Sequence, residues 1–442
     1  MKKIVASVGL VALGASGLNA VYGQDMMDAI PNKPWNVSAS LRGFYDDNIN
    51  TVQSGSPYHQ GSFGFQISPG ADLNWQQEQT TVKAGLVYSL RWYDKKPFGN
   101  TGHDDQDFTF NGDVNHVFTE RYRVDANDSF VIGQEPDFLR YGYALEEPQR
   151  VPGDNIRNYG TINFDGQLTP LFGFELGYAN GYTDYHDTTP FVDTGVASLA
   201  AALNRIEQNI HLDSLWQMMP ETQGLLGYEY AQADYIHNDI VGYSSGPSPL
   251  SSPVPLYSDS RNYRSHYGYV GMTHHFVPDL SVSGKVGIRD TDYYNSPTKE
   301  NDLSPYVTAD IQYNYTVGSS AEFGFNYDRN ATSLIGATNT LPGLTLSQES
   351  AVLYGTIKHQ FMPKLIGTLT GQFQYSTFNG GQYDGKDQKY YLVGLDLQYR
   401  FTPNLSADVG YNYDRVDSNL PVSAGEGNYD RNRVYIGVTA SY

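Results

Sequence analysis

From Trp35 onward, apolar and polar residues alternate with a period of two, the mark of β-strands whose two faces meet different surroundings. Phe63, Phe65, Ile67, Pro69, Ala71, Leu73 and Trp75 share one face, and Gly64, Gln66, Ser68, Gly70, Asp72 and Asn74 share the other. Val82 to Trp92 and Tyr391 to Phe401 repeat the pattern. Eighteen such segments are predicted, at about 35–46, 62–75, 80–93, 107–118, 121–132, 158–168, 172–182, 205–218, 223–235, 263–276, 280–291, 303–315, 320–328, 350–361, 365–375, 389–401, 405–415 and 431–442. Their connections alternate between turns of a few residues, such as Val277–Asp279 and Thr402–Asn404, and nine longer polar loops.

Short turns at one end and long loops at the other predict an all-β, transmembrane, up-and-down antiparallel barrel with about 18 strands, short periplasmic turns and long extracellular loops. Lipid offers no hydrogen bonds, so a sheet that spans it has to close and leave no edge. Trp35 to Tyr45, Val82 to Trp92 and Tyr391 to Phe401 are each ten steps long. Ten steps of a tilted strand rise roughly 25 Å, the height of a barrel's apolar band. Trp35, Tyr45, Trp75, Trp92, Trp216, Phe401 and Tyr442 fall near strand ends on the apolar face, where membrane interfaces favour aromatic rings.

Composition narrows the reading further. The 442 residues include 45 Gly and 37 Tyr but no Cys, so disulfides, thiolate metal sites and thiol nucleophiles are excluded. A net charge of −20 has the wrong sign for a nucleic-acid partner. The first 23 residues read as a signal peptide: basic Lys2 and Lys3, an apolar run from Ile4 to Leu18, then a cleavage site after Gly23. The expected organisation is thus a leader at 1–23, a short periplasmic segment at 24–34, and an outer-membrane barrel at 35–442. Eleven residues before the first strand leave no room for the plug of an energised transporter.

In the last segment Val434, Ile436, Val438, Ala440 and Tyr442 face one way and the chain ends on an aromatic. This resembles the C-terminal signal through which the outer-membrane assembly machinery takes up its clients. Pro34 to Asn48 (PWNVSASLRGFYDDN) resembles the opening strand of the beta-barrel porin 2 family, and Arg121–Leu139 and Pro220–Tyr230 are similar to internal segments of that family. The resemblance implies a barrel in the outer membrane and carries over neither a substrate nor functional residues.

Two stretches depart from plain alternation. Val196, Leu199, Leu203, Ile206 and Ile210 follow helical spacing among alanines, which predicts a short helix at 196–204. At 263–276, Tyr263, Tyr267 and Tyr269 compete with Val270, Met272 and Phe276 for the lipid face.

The chemistry follows from the polar face. No phosphate-binding loop, nucleophile elbow or zinc-protease motif occurs, so an enzyme is not expected, nor a cofactor or metal. His274 and His275 are adjacent on a strand and point to opposite faces. His211 and Asp213 share a face and could pair, although a polar wall is the plainer reading. Barrels of this size leave an aqueous channel. The predicted pore lining has Arg42, Lys83, Arg91, Arg123, Lys285, Arg289, Lys358, Arg400 and Arg433 as bases, with Arg121 and Arg205. Its acids are Asp113, Asp125, Glu175, Glu207, Asp213, Glu229, Asp310, Glu322, Asp396 and Asp408, with Asp72, Asp165, Asp328 and Asp414. Most of the remaining negative charge falls in loops, as at Asp46-Asp47, Asp104-Asp105 and Glu146-Glu147, which predicts a weakly cation-preferring mouth.

The third long loop carries Glu135, Asp137, Arg140, Glu146, Glu147 and Arg150; it has the length and mixed charge to fold inward as a constriction, although loops lie on the surface by default. The expected function is passive diffusion of small hydrophilic solutes across the outer membrane, with its lipid and lipopolysaccharide as partners. The alternative is a closed or accessory barrel that serves exopolysaccharide export or surface binding through its long loops.

Overall fold

The computed structural model describes residues 33–135, 143–151, 153–186, 197–236, 238–244, 254–296, 301–336, 344–420 and 427–442. The predicted leader and most of the segment after it lie outside these residues, as do Asp137, Arg140 and Val196. The strands are β1 (Trp35–Asp46), β2 (Ser62–Gln76), β3 (Thr80–Tyr93), β4 (Asp104–Thr119), β5 (Tyr122–Gly133), β6 (Asn155–Thr169), β7 (Phe172–Tyr185), β8 (Arg205–Met219), β9 (Thr222–Tyr235), β10 (Ile240–Ser244) and β11 (Val254–Tyr257). They continue as β12 (Tyr263–Val277), β13 (Leu280–Asp292), β14 (Asn301–Thr316), β15 (Ser319–Asn330), β16 (Ser347–Met362), β17 (Leu365–Asn379), β18 (Asp387–Thr402), β19 (Leu405–Ser418) and β20 (Tyr429–Ser441).

All but β10 and β11 form one 18-stranded antiparallel sheet in which each strand pairs with its chain neighbour and β1 pairs with β20. The ring is closed. At the seam Val37 and Tyr442 exchange backbone hydrogen bonds of 3.1 and 2.8 Å. The Lys33 ammonium caps that seam, 3.7 Å from the Tyr442 ring centroid and 4.9 Å from that of Trp35. Strand tilt is visible in the register. The row of paired residues that starts at Trp35, the first residue of β1, climbs through Leu73, Ala84, Gly112 and Asp128. It reaches Asp292, the last residue of β13.

The two faces sort as the alternation requires. The outward face exposes Leu41, Ile67, Leu86, Leu212, Val286, Leu353 and Leu395 and carries all four Trp near strand ends. An apolar belt around a whole ring is a surface for lipid, since water-facing proteins rarely expose apolar patches beyond a few hundred Å². Within the belt Asp128 of β5 is outward-facing, where its carboxylate accepts a 2.9 Å hydrogen bond from Asn158 of β6. On β12 the competition resolves in favour of the aliphatic residues. Val270, Met272 and Phe276 are exposed to the outside, while Tyr263, Tyr267 and Tyr269 are buried on the lumenal side. Phenolic hydroxyls find polar partners in the lumen and none in lipid.

Several strands run past the predicted ends on the long-loop side, for instance β4 from 104 rather than 107 and β16 from 347 rather than 350. The ladder continues there after the apolar alternation has ended, because above the membrane both faces can be polar. The helix is shorter than predicted: α1 spans Leu199–Leu203, with Ser198 accepting from the Ala201 amide at 3.1 Å as its N-cap. The β10–β11 hairpin was not predicted, since segments of five and four residues are too short to show a period.

A charge placed on the outward face tests the assignment. Leu395→Arg, midway along β18, is expected to cost about 2–4 kcal/mol, whereas Phe401→Arg at the strand end should cost only about 0–1 kcal/mol. Urea titrations of the barrel folded into vesicles would measure both. Equal costs would show that the belt does not face hydrocarbon.

Candidate functional site

The inward rows of the strands carry the predicted pore-lining residues. Arg42 lies on β1, Lys83 and Arg91 on β3, Asp113 on β4, and Arg123 and Asp125 on β5. Glu175 follows on β7, Glu207 and Asp213 on β8, Glu229 on β9, and Lys285 and Arg289 on β13. Asp310, Glu322, Lys358, Asp396 with Arg400, Asp408 and Arg433 occupy β14, β15, β16, β18, β19 and β20 in turn. Arg121 instead sits in the short turn between β4 and β5.

Most of these charges are paired across the wall. Arg42 meets Asp408 at 2.9 Å, Arg123 meets Asp125 at 2.8 Å and Asp165 at 2.7 Å, and Lys285 meets Asp213 at 3.0 Å. Arg289 meets Asp328 at 3.0 Å and Arg433 meets Asp414 at 3.2 Å. A charge removed from bulk water is tolerable only with such a partner and its hydrogen bonds.

The loop between β5 and β6 crosses the lumen. It leaves β5 at Gly133, and Tyr143, Leu145 and Pro148 are bonded to β16, β17 and β20 across the ring. Gln372 donates to the Tyr143 carbonyl at 3.2 Å, and Gln374 accepts from the Leu145 amide at 2.7 Å. Gln348 and Gln374 both donate to the Leu145 carbonyl, at 3.1 and 3.0 Å. The Leu145 side chain is buried among Tyr390, Leu392, Val416 and Tyr429. The Tyr429 hydroxyl donates to the Pro148 carbonyl at 2.6 Å. Towards β8, Arg205 grips both oxygens of Glu146 at 2.5 and 2.7 Å. Arg150 is held by Asp105 at 2.6 Å, and Glu147 accepts from the Gln149 amide at 2.8 Å.

The base of the loop is fixed by Glu135. Arg431 donates to its two oxygens at 2.9 and 3.1 Å and to Asp46 at 2.7 Å, while Arg91 reaches Glu135 at 3.2 Å and also pairs with Asp107. Burial alone would raise the Glu135 carboxyl, but the guanidiniums of Arg431, Arg433 and Arg91 outweigh it and hold the group well below the usual carboxylate range.

Three of the six acids expected in a negative mouth, Asp46, Asp105 and Glu146, carry no unpaired charge. Asp46 and Asp105 are buried inward-facing residues, and with Glu146 they are matched by arginines. Arg431 and the three glutamines were missed. Arg431 has the parity of Arg433, so one further step of the alternation would have placed it on the lumenal row. The destination of a loop more than two hundred positions away in sequence leaves no local signal.

A family model described as "Putative beta-barrel porin 2" matches residues 335–442. No curated protein matches the chain. Among solved structures it is similar to the outer-membrane protein opdK of Pseudomonas aeruginosa, at 10% identity over 92% of this chain and 99% of that one, TM-score 0.44. It is also similar to OccAB3 of Acinetobacter baumannii, at 10% identity over 92% and 99%, TM-score 0.43. A BenF-like porin of Pseudomonas fluorescens Pf-5 has 11% identity over 94% and 100%, TM-score 0.44.

Removing Arg431 would leave two buried carboxylates without their main partner. Arg431→Ala is expected to cost about 3–5 kcal/mol and to expose residues 134–154 to limited proteolysis. Because the Glu135 carboxyl is depressed, its stabilisation is present above the unfolded-state value and lost as pH falls through the lower folded one. Protection of the loop should therefore persist at about pH 4 and fail only in stronger acid. Loss of protection already near neutrality would contradict the pairing. Over residues 335–442, which hold β16 to β20, the chain matches the beta-barrel porin 2 family model, the same family that its opening strand resembles.

Proposed function

We propose that the chain is a passive-diffusion channel of the bacterial outer membrane for small hydrophilic solutes, with a bore set by the β5–β6 loop. The supporting observation is the docking of Tyr143, Leu145 and Pro148 on the inward faces of β16 to β20, which narrows a charged, polar lumen at a fixed place. The lining residues named above then form the walls of the path, and Glu146, Glu147 and Arg150 its narrow part. A small excess of acidic over basic groups along the inward rows favours weak cation preference. Outward lipid and lipopolysaccharide are the natural surroundings of the apolar belt.

One observation favours the second reading, a closed barrel acting through its loops in polysaccharide export or surface binding. Val151, Tyr185, Ala201, Leu203, Val241, Leu256, Tyr293, Ile335 and Leu344 pack into an apolar cluster that joins the loops around α1. Arg261 is buried beside it, donating to the carbonyls of Ala202 and Thr332 at 2.6 Å each.

Conductance of the refolded barrel in a planar bilayer under a salt gradient separates the two. The channel reading expects steady conductance with a reversal potential on the cation side. Replacing Glu146 and Glu147 by Gln removes two negative charges and leaves Arg205 with Glu207 alone, so the reversal potential should move towards anion preference. A stably folded barrel without conductance would favour the closed reading, and unchanged selectivity in the double variant would remove the loop from the path.

A further inference from the structure

Away from the loop, the inward face of β7 and β8 brings two of the lining carboxylates, Glu175 and Asp213, together with His211. We propose that Glu175, His211 and Asp213 form a divalent-cation site of the zinc class in the lumenal wall. His211 and Asp213 lie two apart on the inward row of β8, and Glu175 of β7 is the register partner of Asp213. Among the described residues these are the three whose potential ligand atoms come together, each within 4.8 Å of the others. A tetrahedral ion with bonds of about 2.0–2.2 Å needs its ligands roughly 3.4 Å apart, so small rotations of the side-chain tips would complete the set. One imidazole and two carboxylates suit Zn²⁺ better than Mg²⁺ or Ca²⁺, which prefer oxygen alone.

The backbone is shaped around these groups. A Cβ at Gly177 of β7 would overlap the His211 ring, and one at Gly227 of β9 would overlap both the Asp213 carboxylate and the Tyr269 ring. Glycine at these two positions lets the ligands lie against the wall. The surrounding groups fit the role as well. The Tyr269 hydroxyl donates to Asp213 Oδ1 at 2.6 Å, leaving the carboxylate oriented, as partners of metal ligands commonly do. Glu229 is the register partner of His211, and Asp165 that of Glu175, so further negative charge flanks the site.

Two groups now stand where the ion would act. Lys285 Nζ lies 3.0 Å from Asp213 Oδ2 and serves as the cation of the cluster. Its flexible stem lets the ammonium swing into the lumen when a divalent ion replaces it. His211 Nε2 lies 3.0 Å from Glu175 Oε1. The metal would replace the hydrogen bridging those atoms, leaving the imidazole protonated on Nδ1. Glu175 and Asp213 are 2% and 1% exposed, while His211 is half-buried, so an ion would enter from the lumen past the imidazole.

The test is equilibrium binding, which does not depend on whether the pore conducts. The barrel, prepared without a histidine tag, refolded in detergent and stripped with a chelator, is titrated with ZnCl₂ by calorimetry, with MgCl₂ in parallel. Saturable uptake of one Zn²⁺ per chain is expected, with Mg²⁺ silent. His211→Ala should weaken it by about tenfold or more. Lys285→Met, which keeps all three ligands and removes the competing ammonium, should tighten it. If His211→Ala does not refold, Asp213→Asn, of the same shape, carries the same expectation. Zn²⁺ uptake unchanged in the ligand variant, or absent from both the wild type and Lys285→Met, would overturn the site.

Discussion

Every feature of this molecule depends on one constraint: in hydrocarbon, a backbone amide or carbonyl without a partner costs several kcal/mol. A sheet meets that constraint only by pairing its first strand with its last. Here β1 and β20 pair over nine residues, from Ser38–Ser441 to Asp46–Arg433. Once the ring is closed the period of two has a fixed meaning, since one parity belongs to lipid and the other to the lumen. A slip of one residue would exchange the two sets, placing Arg431 and Arg433 in the membrane and Val434 in the pore. Register, membrane placement and lumenal chemistry are therefore one decision, taken at the seam and carried around by the ladder.

The lumen then sets a second problem. Charges on the inward rows near the loop are partly removed from water, and a buried charge needs a counter-charge and hydrogen bonds. Arg431 shows the solution. It is 1% exposed, yet its donors are shared between Asp46 on β1 and Glu135 at the foot of the loop. The same ions that close the upper part of the seam also anchor the element that narrows the bore. Asp46 reads in isolation as the start of an acidic loop. In the ring it is the last inward residue of β1, opposite Arg433 in the register and bonded to Arg431.

Strand positions, the closed ring and the two faces were legible because membrane spanning imposes a long, regular pattern. The choice on β12 was not, since Tyr serves at an interface as well as in a polar lumen. Only the pairing Tyr269–Gly227, which gives the ring a glycine to lie over, settles it. The loop was legible in composition but not in destination. Its partners Gln348, Gln372 and Gln374 look like ordinary polar wall residues, and what distinguishes them is the backbone they meet. The same holds for Glu175, which lies 36 positions from His211 and joins it only through the β7–β8 register.

The two ends of the crossing loop are held by different physics. Near Leu145 the anchors are neutral amides and an apolar pocket, which neither salt nor mild acid alters much. At Glu135 and Glu146 the anchors are arginine–carboxylate pairs, strengthened by burial and dependent on ionisation. A loop fixed only by ion pairs would loosen wherever protons or salt ions compete for the carboxylates. A loop fixed only by amides would leave the buried Arg205 and Arg431 with one carboxylate each, Glu207 and Asp46. Using both holds the narrow segment by contacts that differ in their response to acid and to salt, so that loss of one set leaves the other in place.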